Sequence, residues 1–186
     1  MMAVETRHLT TGELEAGLEE IRRSPQDNGV VEMIVRRPQV GERELLQECQ
    51  VDLAEGLVGD SWRMRYTSTG RTPNQDVQLT VMNARAAALV SQDKSRWPLA
   101  GDQLYLDLDL SDDNLPPGTH LAIGSAVIEV SVQPHTGCAK FVECFGFDAM
   151  NFVNSAEGKA MHLRGINTRI VQPGVIRVGD RAEKLK

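Results

Sequence analysis

"LPPGTHLAIGSAVIEVSVQ", residues 115–133, contains two short apolar runs, each directly after a turn signal. A Pro-Pro-Gly turn precedes the first run and a Gly-Ser turn precedes the second, and these residue types are typical of turns between strands. In the second run, every other residue is apolar: Ala126, Ile128, Val130 and Val132. This alternation predicts a strand with one face buried, so the stretch predicts two strands joined by a turn.

The same pattern continues on both sides of this stretch. Residues 30–38, 44–57 and 77–83 are β-prone runs, and residues 166–185 contain three runs separated by Pro-Gly and Gly-Asp turns. In residues 103–111 four leucines alternate with Tyr105, Asp107 and Asp109, which predicts a half-buried strand. We expect the chain from residue 99 onward to be almost entirely β. Many short strands with regular turns predict a closed barrel or a sandwich rather than a doubly wound sheet.

Helical patterns are few. Residues 10–23 place Leu14, Leu18 and Ile21 at helical spacing, with Thr10 and Glu13 as a capping box. A second helix is predicted over 84–93 after Asn83 as N-cap, and a short third one within 148–158, ended by Gly158. The polar residues 63–76 predict a long loop, a feature that is often functional. We expect an N-terminal helical extension over 1–29 and a barrel domain over 30–186.

Composition limits the class of protein. The chain has 186 residues, of which 41% are apolar, so one compact domain needs no disulfide or metal for its stability. A formal charge of −6 argues against nucleic acid as a partner. The sequence has no long apolar run and no secretory signal at its start, so we expect no membrane partner and a cytoplasmic location. It also has no GxGxxG and no Walker A motif.

Cys138 is the first candidate for chemistry, in "PHTGCAKF" at 134–141. Pro134 ends the preceding strand and Gly137 permits a turn, which places Cys138 at a strand end that solvent can reach. His135 and Lys140 lie close in sequence and could favour the thiolate, the form that attacks sulfur or binds metal. The alternative is an inert, buried thiol, which is common for free cysteines.

The remaining cysteines are predicted to be structural. Three cysteines in a chain without an export signal should be reduced, and Cys49 and Cys144 lie among apolar residues that suit a core. A zinc site would need the ligand set His135, Cys138, Cys144 and His162, but the spacing lacks the tight pair of cysteines typical of structural zinc. A cysteine hydrolase would use His120, His135 or His162 as its base, and nothing in the sequence orients such a base.

Basic residues form a second group of candidates. Those in the predicted loop and beside the late motifs are Arg63, Arg65, Arg71, Lys140, Arg164 and Arg169. A small ligand that bears phosphate would be bound by such side chains, whereas the alternative is ordinary surface charge.

Four motifs in order resemble the MOSC domain, which occurs at the carboxyl end of molybdenum-cofactor sulfurases and as stand-alone bacterial proteins. They are "GLVGDSW" at 56–62, "NQDVQLTVMN" at 74–83, residues 115–141 and "LRGINTRIVQPGVIRVGDRAEKL" at 163–185. The resemblance covers roughly residues 30–185. It implies a mainly β fold, a closed β-barrel of the MOSC or pyruvate-kinase-like type with a few short helices. It also implies that the Gly-Asp and Arg-Gly pairs at 59–60, 164–165 and 179–180 are architectural turns.

The same resemblance implies a function for Cys138. This residue would carry sulfur as a persulfide or ligate the molybdenum of a bound pterin cofactor, and it is therefore the predicted catalytic residue and metal ligand. We predict that His135, Lys140, Arg164 and Arg71 bind the molybdenum cofactor. The departure from the family pattern to His-Thr-Gly-Cys leaves the substrate open.

Two activities follow from the resemblance: a sulfur carrier or transferase for molybdoenzyme maturation, or a molybdenum-dependent reductase. The sulfur would come from another protein, so a cysteine desulfurase or a molybdoenzyme is the expected partner. Pyridoxal phosphate is not expected, because no lysine lies in a context that suits a Schiff base. The alternative from a different class is a non-catalytic binding barrel in which Cys138 only packs.

Overall fold

The computed structural model describes residues 7–186, which form eleven strands and seven α-helices. The strands are β1 (Gly29–Arg36), β2 (Glu44–Leu46), β3 (Glu48–Asp52), β4 (Gly56–Leu57), β5 (Leu79–Asn83), β6 (Leu104–Asp107), β7 (His120–Ile123), β8 (Ala126–Val130), β9 (Ile166–Gln172), β10 (Gly174–Arg177) and β11 (Arg181–Lys184). The helices are α1 (Thr11–Ala16), α2 (Leu18–Arg22), α3 (Trp62–Thr67), α4 (Ala84–Ser91), α5 (Ala139–Phe145), α6 (Phe147–Asn154) and α7 (Ala156–Ala160). Two short 3-10 helices span Gln75–Val77 and Lys94–Ala100.

Seven strands form a closed barrel in the order β11, β7, β8, β9, β5, β6, β1. The ring closes because β1 pairs with β11, with Gly29 opposite Ala182. The pair of β5 and β6 is parallel and the other pairs in the ring are antiparallel. Strand β2 joins β1 outside the ring, and β10, β3 and β4 form a separate small sheet. The prediction of a closed β-barrel with short helices is confirmed.

The barrel interior is filled by alternating side chains, as a small closed barrel requires. The predicted inward residues Ala126, Ile128 and Val130 are buried, whereas Val132 lies beyond the end of β8 and is 75% exposed. Tyr105 was predicted to face outward, but it is fully buried. It lies under the helices, and its hydroxyl donates a hydrogen bond of 2.6 Å to the carbonyl of Trp97.

The helices cover one side of the barrel with a second apolar cluster. The predicted N-terminal helix forms as two helices, α1 and α2, interrupted at Gly17, where Leu89 packs directly against the backbone. The capping box of Thr10 and Glu13 is present. Leu14 of α1 is buried in the same cluster as α4, α5 and α6. The first six residues of the predicted extension lie outside the described residues, and the domain boundary at residue 30 stays a prediction.

Three sequence predictions about helices were wrong. The expected loop over 63–76 begins within α3, and the chain after residue 99 contains α5, α6 and α7 between its strands. Gly158 lies inside α7 rather than at the end of a helix. Helices α5 and α6 form because each buries apolar side chains in the second cluster, which outweighs weak local signals.

Within residues 7–186, no helix has both the length and the apolar character that a membrane crossing requires.

Candidate functional site

A cavity of about 490 Å³ is formed by the loop after β1, helix α3, the end of the 94–100 helix and residues 135–141. Among the described residues, no aspartate or glutamate lines it. Six cationic side chains do: Arg37, Arg43, Arg65, Arg71, Lys140 and Arg164. Such a lining suits an anionic ligand, although the chain as a whole is acidic.

Arg37 is held in place by Asp60. Its Nε and Nη2 atoms each donate a hydrogen bond of 2.9 Å to the carboxylate, and its Nη1 donates to the carbonyl of Gly101 at 2.8 Å. The Asp60 side chain is fully buried and also accepts from the backbone N–H of Trp62. The charge of Arg37 is therefore compensated by a bidentate partner.

Arg164 has a similar arrangement with Asp102. Its Nη1 donates to the Asp102 carboxylate at 2.6 Å, and its Nη2 donates to the carbonyl of Ala100 at 2.7 Å. The guanidinium also lies over the ring of Phe141, 5.2 Å from its centroid. Because both terminal nitrogens have protein partners, Arg164 contributes mainly to the rigidity of the wall.

The other four cations of the cavity are not neutralised in this way. Arg65 has only Asp60 nearby, at 3.9 Å, and Asp60 is already bound to Arg37. Burial, and then the neighbouring charges of Arg37 and Arg43, lower the pKa of Arg65, while Asp60 raises it. Within the described part of the chain, Arg43, Arg71 and Lys140 form no ion pair. A net positive charge therefore faces the cavity.

Cys138 is exposed and lines the same cavity. It lies at the N-cap position of α5, in extended backbone. The preceding Gly137 is fixed by Asn154, whose side-chain oxygen accepts the Gly137 N–H at 2.9 Å. The segment that carries the thiol is thus anchored to α6, with the sulfur on the solvent side. The thiol has the open position expected from the sequence, and its chemical role stays a prediction.

His135 lies deeper in the cavity wall, and its side chain is 17% exposed. Its Nδ1 is 3.5 Å from Oδ1 of Asp102. Burial lowers the pKa of His135 to about 4, since the opposing effect of Asp102 is smaller and the charges of Arg164 and Arg37 add to the lowering. The imidazole is neutral at physiological pH.

The other cysteines and histidines lie away from this cavity. Cys49 is buried as predicted, and burial raises its pKa to about 12. Cys144 is half-buried against the helical cluster, and burial raises its pKa as well. His120 contacts Glu129 at 2.7 Å and His162 contacts Asp112 at 2.8 Å. No group of three or more residues able to hold a metal occurs in the part of the chain that the structure describes, so the zinc set is not assembled there.

The structure brings together all five predicted site residues: Cys138, His135, Lys140, Arg164 and Arg71. Of the other basic candidates, Arg65 also lines the cavity, whereas Arg169 pairs with Glu129 at 2.6 Å outside it. Sequence reasoning missed the cavity residues Arg37, Arg43, Trp62 and Tyr66. The Arg-Arg-Pro end of β1 was the available signal for Arg37, because a proline directly after a strand marks the point where the chain leaves the barrel.

Comparisons with known proteins agree on one family. The family model of the MOSC domain matches residues 87–183, just over half of the chain. No curated protein matches the sequence.

Several crystal structures have a similar fold. The YuaD protein from Bacillus subtilis is 17% identical, with a TM-score of 0.61 over 84% of this chain and 94% of that one. YiiM from Escherichia coli is 20% identical, with a TM-score of 0.55 over 84% and 70%. YiiM from Geobacillus stearothermophilus is 16% identical, with a TM-score of 0.52 over 87% and 75%. At these identities the likeness shows the fold alone.

Proposed function

The chain belongs to the MOSC domain family, and from this premise we propose that its cavity binds a molybdenum cofactor, a pterin bearing phosphate, with the Cys138 thiolate at the metal. The observation that carries the proposal is the composition of one cavity. It combines an exposed thiol with four cations that form no hydrogen bond to a carboxylate.

The residues fit this cofactor in chemical type. Guanidinium and ammonium groups bind phosphate, and a soft thiolate suits a sulfur-rich metal centre. Arg65, Arg71 and Lys140 would hold the phosphate. Tyr66 lines the same cavity, with the Arg71 guanidinium 5.5 Å from the centroid of its ring. The bound cofactor would supply the redox chemistry, while the protein supplies binding, orientation and electrostatics.

Lys140 lies on the same segment as the thiol. It follows Cys138 by two residues and lines the same cavity. We assign Lys140 the role of contact with the anionic group of the ligand.

A second candidate function, sulfur carriage, is favoured by the isolation of this thiol. Neither Cys49 nor Cys144 lines the cavity, so no second cysteine of the cavity is available to turn a persulfide on Cys138 into a disulfide. In that reaction the Cys138 thiolate attacks the outer sulfur of a donor persulfide, and the donor leaves as its own thiolate. The donor would be a cysteine desulfurase and the acceptor a molybdoenzyme, in a reducing cytoplasm.

Two further alternatives lose support from the geometry. A thiol that serves only for packing should be buried, and Cys138 is exposed. A cysteine hydrolase would need a histidine base bonded to the thiol. His120 and His162 are engaged with carboxylates outside the cavity, and His135, which does line the cavity with Cys138, forms no hydrogen bond with it among the described residues.

Production of the protein in a host that makes the cofactor tests the proposal. We expect the purified protein to contain molybdenum by mass spectrometry, together with a fluorescent pterin after oxidative release. Cys138→Ser should lose most of the metal. The matched control is Cys144→Ser, which removes a half-buried thiol from the same helix and should retain it. Equal metal in both variants would refute the role of Cys138 at the metal.

Sulfur carriage has its own test. Incubation with a cysteine desulfurase and cysteine should add the mass of one sulfur atom to the wild type, and a thiol reductant should remove it. Cys138→Ser should show no such addition. Addition to Cys138→Ser as well would assign the sulfur to another residue.

A further inference from the structure

A buried carboxylate and an imidazole meet behind the cavity wall. The Asp102 side chain is fully buried, and its Oδ2 is bound by Arg164 at 2.6 Å. Its other oxygen, Oδ1, has no hydrogen-bond partner among the described residues, and neither has Nδ1 of His135, 3.5 Å away. Buried polar atoms without partners are rare in folded proteins, and each one calls for an explanation.

The lack of other partners for both atoms is explained if Nδ1 carries a proton that faces Oδ1 of Asp102. A carboxylate held by a guanidinium is ionised and can only accept hydrogen bonds. A lone pair on Nδ1 would face the negative carboxylate oxygen and be repelled by it. A proton on Nδ1 would instead be attracted to that oxygen. Since the ring is neutral, its one proton then lies on Nδ1 and the lone pair lies on Nε2.

The local packing fixes which edge of the ring faces inward. A Cβ at Gly165 would collide with the carbonyl oxygen of Val81 and lie 3.2 Å from Nδ1 of His135. The Nδ1 edge is therefore wedged between Gly165 and Asp102, and Nδ1 itself is buried. Of the two ring nitrogens only Nδ1 is buried without a partner, and the side chain, which is 17% exposed, lines the cavity.

We infer that Asp102 is a positioning residue that holds His135 as a neutral hydrogen-bond acceptor towards the cavity. The ligand must then present an N–H or O–H donor to His135 in addition to the anionic group that the cations bind. An acceptor at His135 complements the cations of the lining, because guanidinium and ammonium groups can only donate hydrogen bonds. The inference rests on the proposed function in one respect: it assumes that the ligand is a pterin, which has amino and ring N–H groups.

The state of the ring can be measured without any ligand. Nitrogen-15 NMR of the histidine side chains distinguishes the two neutral tautomers and the charged form. For His135 at neutral pH we expect a protonated Nδ1 and a bare Nε2. His120 and His162 are internal contrasts, because in both of them Nε2 is the nitrogen that faces a carboxylate. Assignment uses His135→Gln or, should that variant not fold, the His8, His120 and His162 variants by elimination. A protonated Nε2 on His135 would overturn the inference.

The role of Asp102 is tested by Asp102→Asn. The amide has the same shape but can turn a donor towards Nδ1, so the tautomer should shift towards a protonated Nε2. Asp102→Asn also weakens the ion pair with Arg164. The binding experiment therefore uses a second variant, His135→Phe, which leaves the pair of Asp102 and Arg164 intact. An unchanged tautomer in folded Asp102→Asn would show that the carboxylate does not set it.

Two probes separate the acceptor from the cations. Pterin-6-carboxylate offers N–H donors and an anionic group, whereas sulfate at neutral pH offers only the anion. For His135→Phe we expect about tenfold weaker binding of the pterin and sulfate binding within about twofold of wild type. Equal losses for both probes would refute the acceptor role. If the wild type binds sulfate but not the pterin, the proposed pterin ligand is refuted, and the tautomer measurement still decides the inference about Asp102.

Discussion

Asp60 holds Arg37 by two parallel hydrogen bonds of 2.9 Å, and both side chains are largely removed from water. Asp102 holds Arg164 in a comparable way on another part of the wall. Two of the six cations of the cavity are therefore part of its framework, and a third, Arg43, is held by two backbone carbonyls. The other three are available to a ligand. This division decides which substitutions should destabilise the protein and which should weaken binding.

Removal of the buried carboxylate should be costly. Asp60→Ala leaves the Arg37 guanidinium buried without its partner, and the expected loss is about 3–5 kcal/mol in the free energy of unfolding. Urea denaturation measures it. The control is Glu48→Ala, which removes the partner of Arg177 in a pair whose side chains are 63% and 59% exposed. That variant should lose less than about 1 kcal/mol. Equal losses would contradict the framework role of Asp60.

Substitution of the ligand-facing cations should leave stability unchanged and reduce binding. Arg65→Gln and Lys140→Gln should each weaken binding of an inorganic anion such as sulfate by about tenfold or more, because a hydrogen bond to a charged group is lost. Added salt should reduce the difference from wild type. Calorimetric titration measures the binding. A variant that binds normally but unfolds early would belong to the framework instead.

Arg164→Gln is the informative comparison, since Arg164 was predicted from the sequence to bind the cofactor. Its terminal nitrogens are bound to Asp102 and Ala100. We expect this variant to lose stability in urea, unlike Lys140→Gln. Normal stability combined with weak binding would restore the direct role predicted for Arg164.

The three thiols should react in the order of their exposure. Cys138 is exposed, Cys144 is half-buried and Cys49 is 5% exposed with a pKa raised to about 12 by burial. Intact-mass spectrometry during alkylation of the native protein at pH 8 should show one rapid addition, absent in Cys138→Ser. Cys49 should react only after unfolding, because the thiolate is the reactive form. A native protein in which Cys138 resists alkylation would contradict both proposed functions.

The sequence pattern predicted the strands of a barrel or a sandwich because strand alternation is local, and the resemblance to the MOSC domain selected the barrel. Ala126, Ile128 and Val130 show it directly, and they are buried. Helix α5 was missed because Phe141 and Phe145, one helical turn apart, lie in a run of aromatic and β-branched residues that equally suits a strand. Tyr105 was misjudged because alternation along one strand carries no information about helices packed on its outer face.

The site was only partly predictable for a different reason. Cys138, His135 and Lys140 form one short motif, so sequence proximity revealed them. The Asp102 and Arg164 pair joins residues 62 positions apart, and no pattern within either segment indicates the other. The sequence therefore revealed the chemistry of the cavity but not which of its charges are already compensated.

His135 should make stability depend on pH. Its pKa is about 4 in the folded chain and near 6.5 in the unfolded chain, so between these values the unfolded state binds more protons. Stability should therefore fall as the pH decreases from 6.5 to 4 and level off below, by up to about 3 kcal/mol in total. Urea unfolding across this range measures the loss. His135→Gln should remove this part of the slope, while His8→Gln, which removes an exposed histidine that does not act on His135, should keep it.

Gly165 provides a test of the crowding around His135. Its φ is +114°, a conformation that disfavours other residues, and a Cβ there would also crowd Val81 and Nδ1 of His135. Gly179 has a φ of +92° with open space around it. Gly179→Ala should therefore cost only backbone strain, about 1–2 kcal/mol of unfolding free energy. Gly165→Ala should cost more and should shift the nitrogen-15 resonances of His135. Equal costs, with unchanged His135 resonances, would mean that Gly165 serves the turn alone.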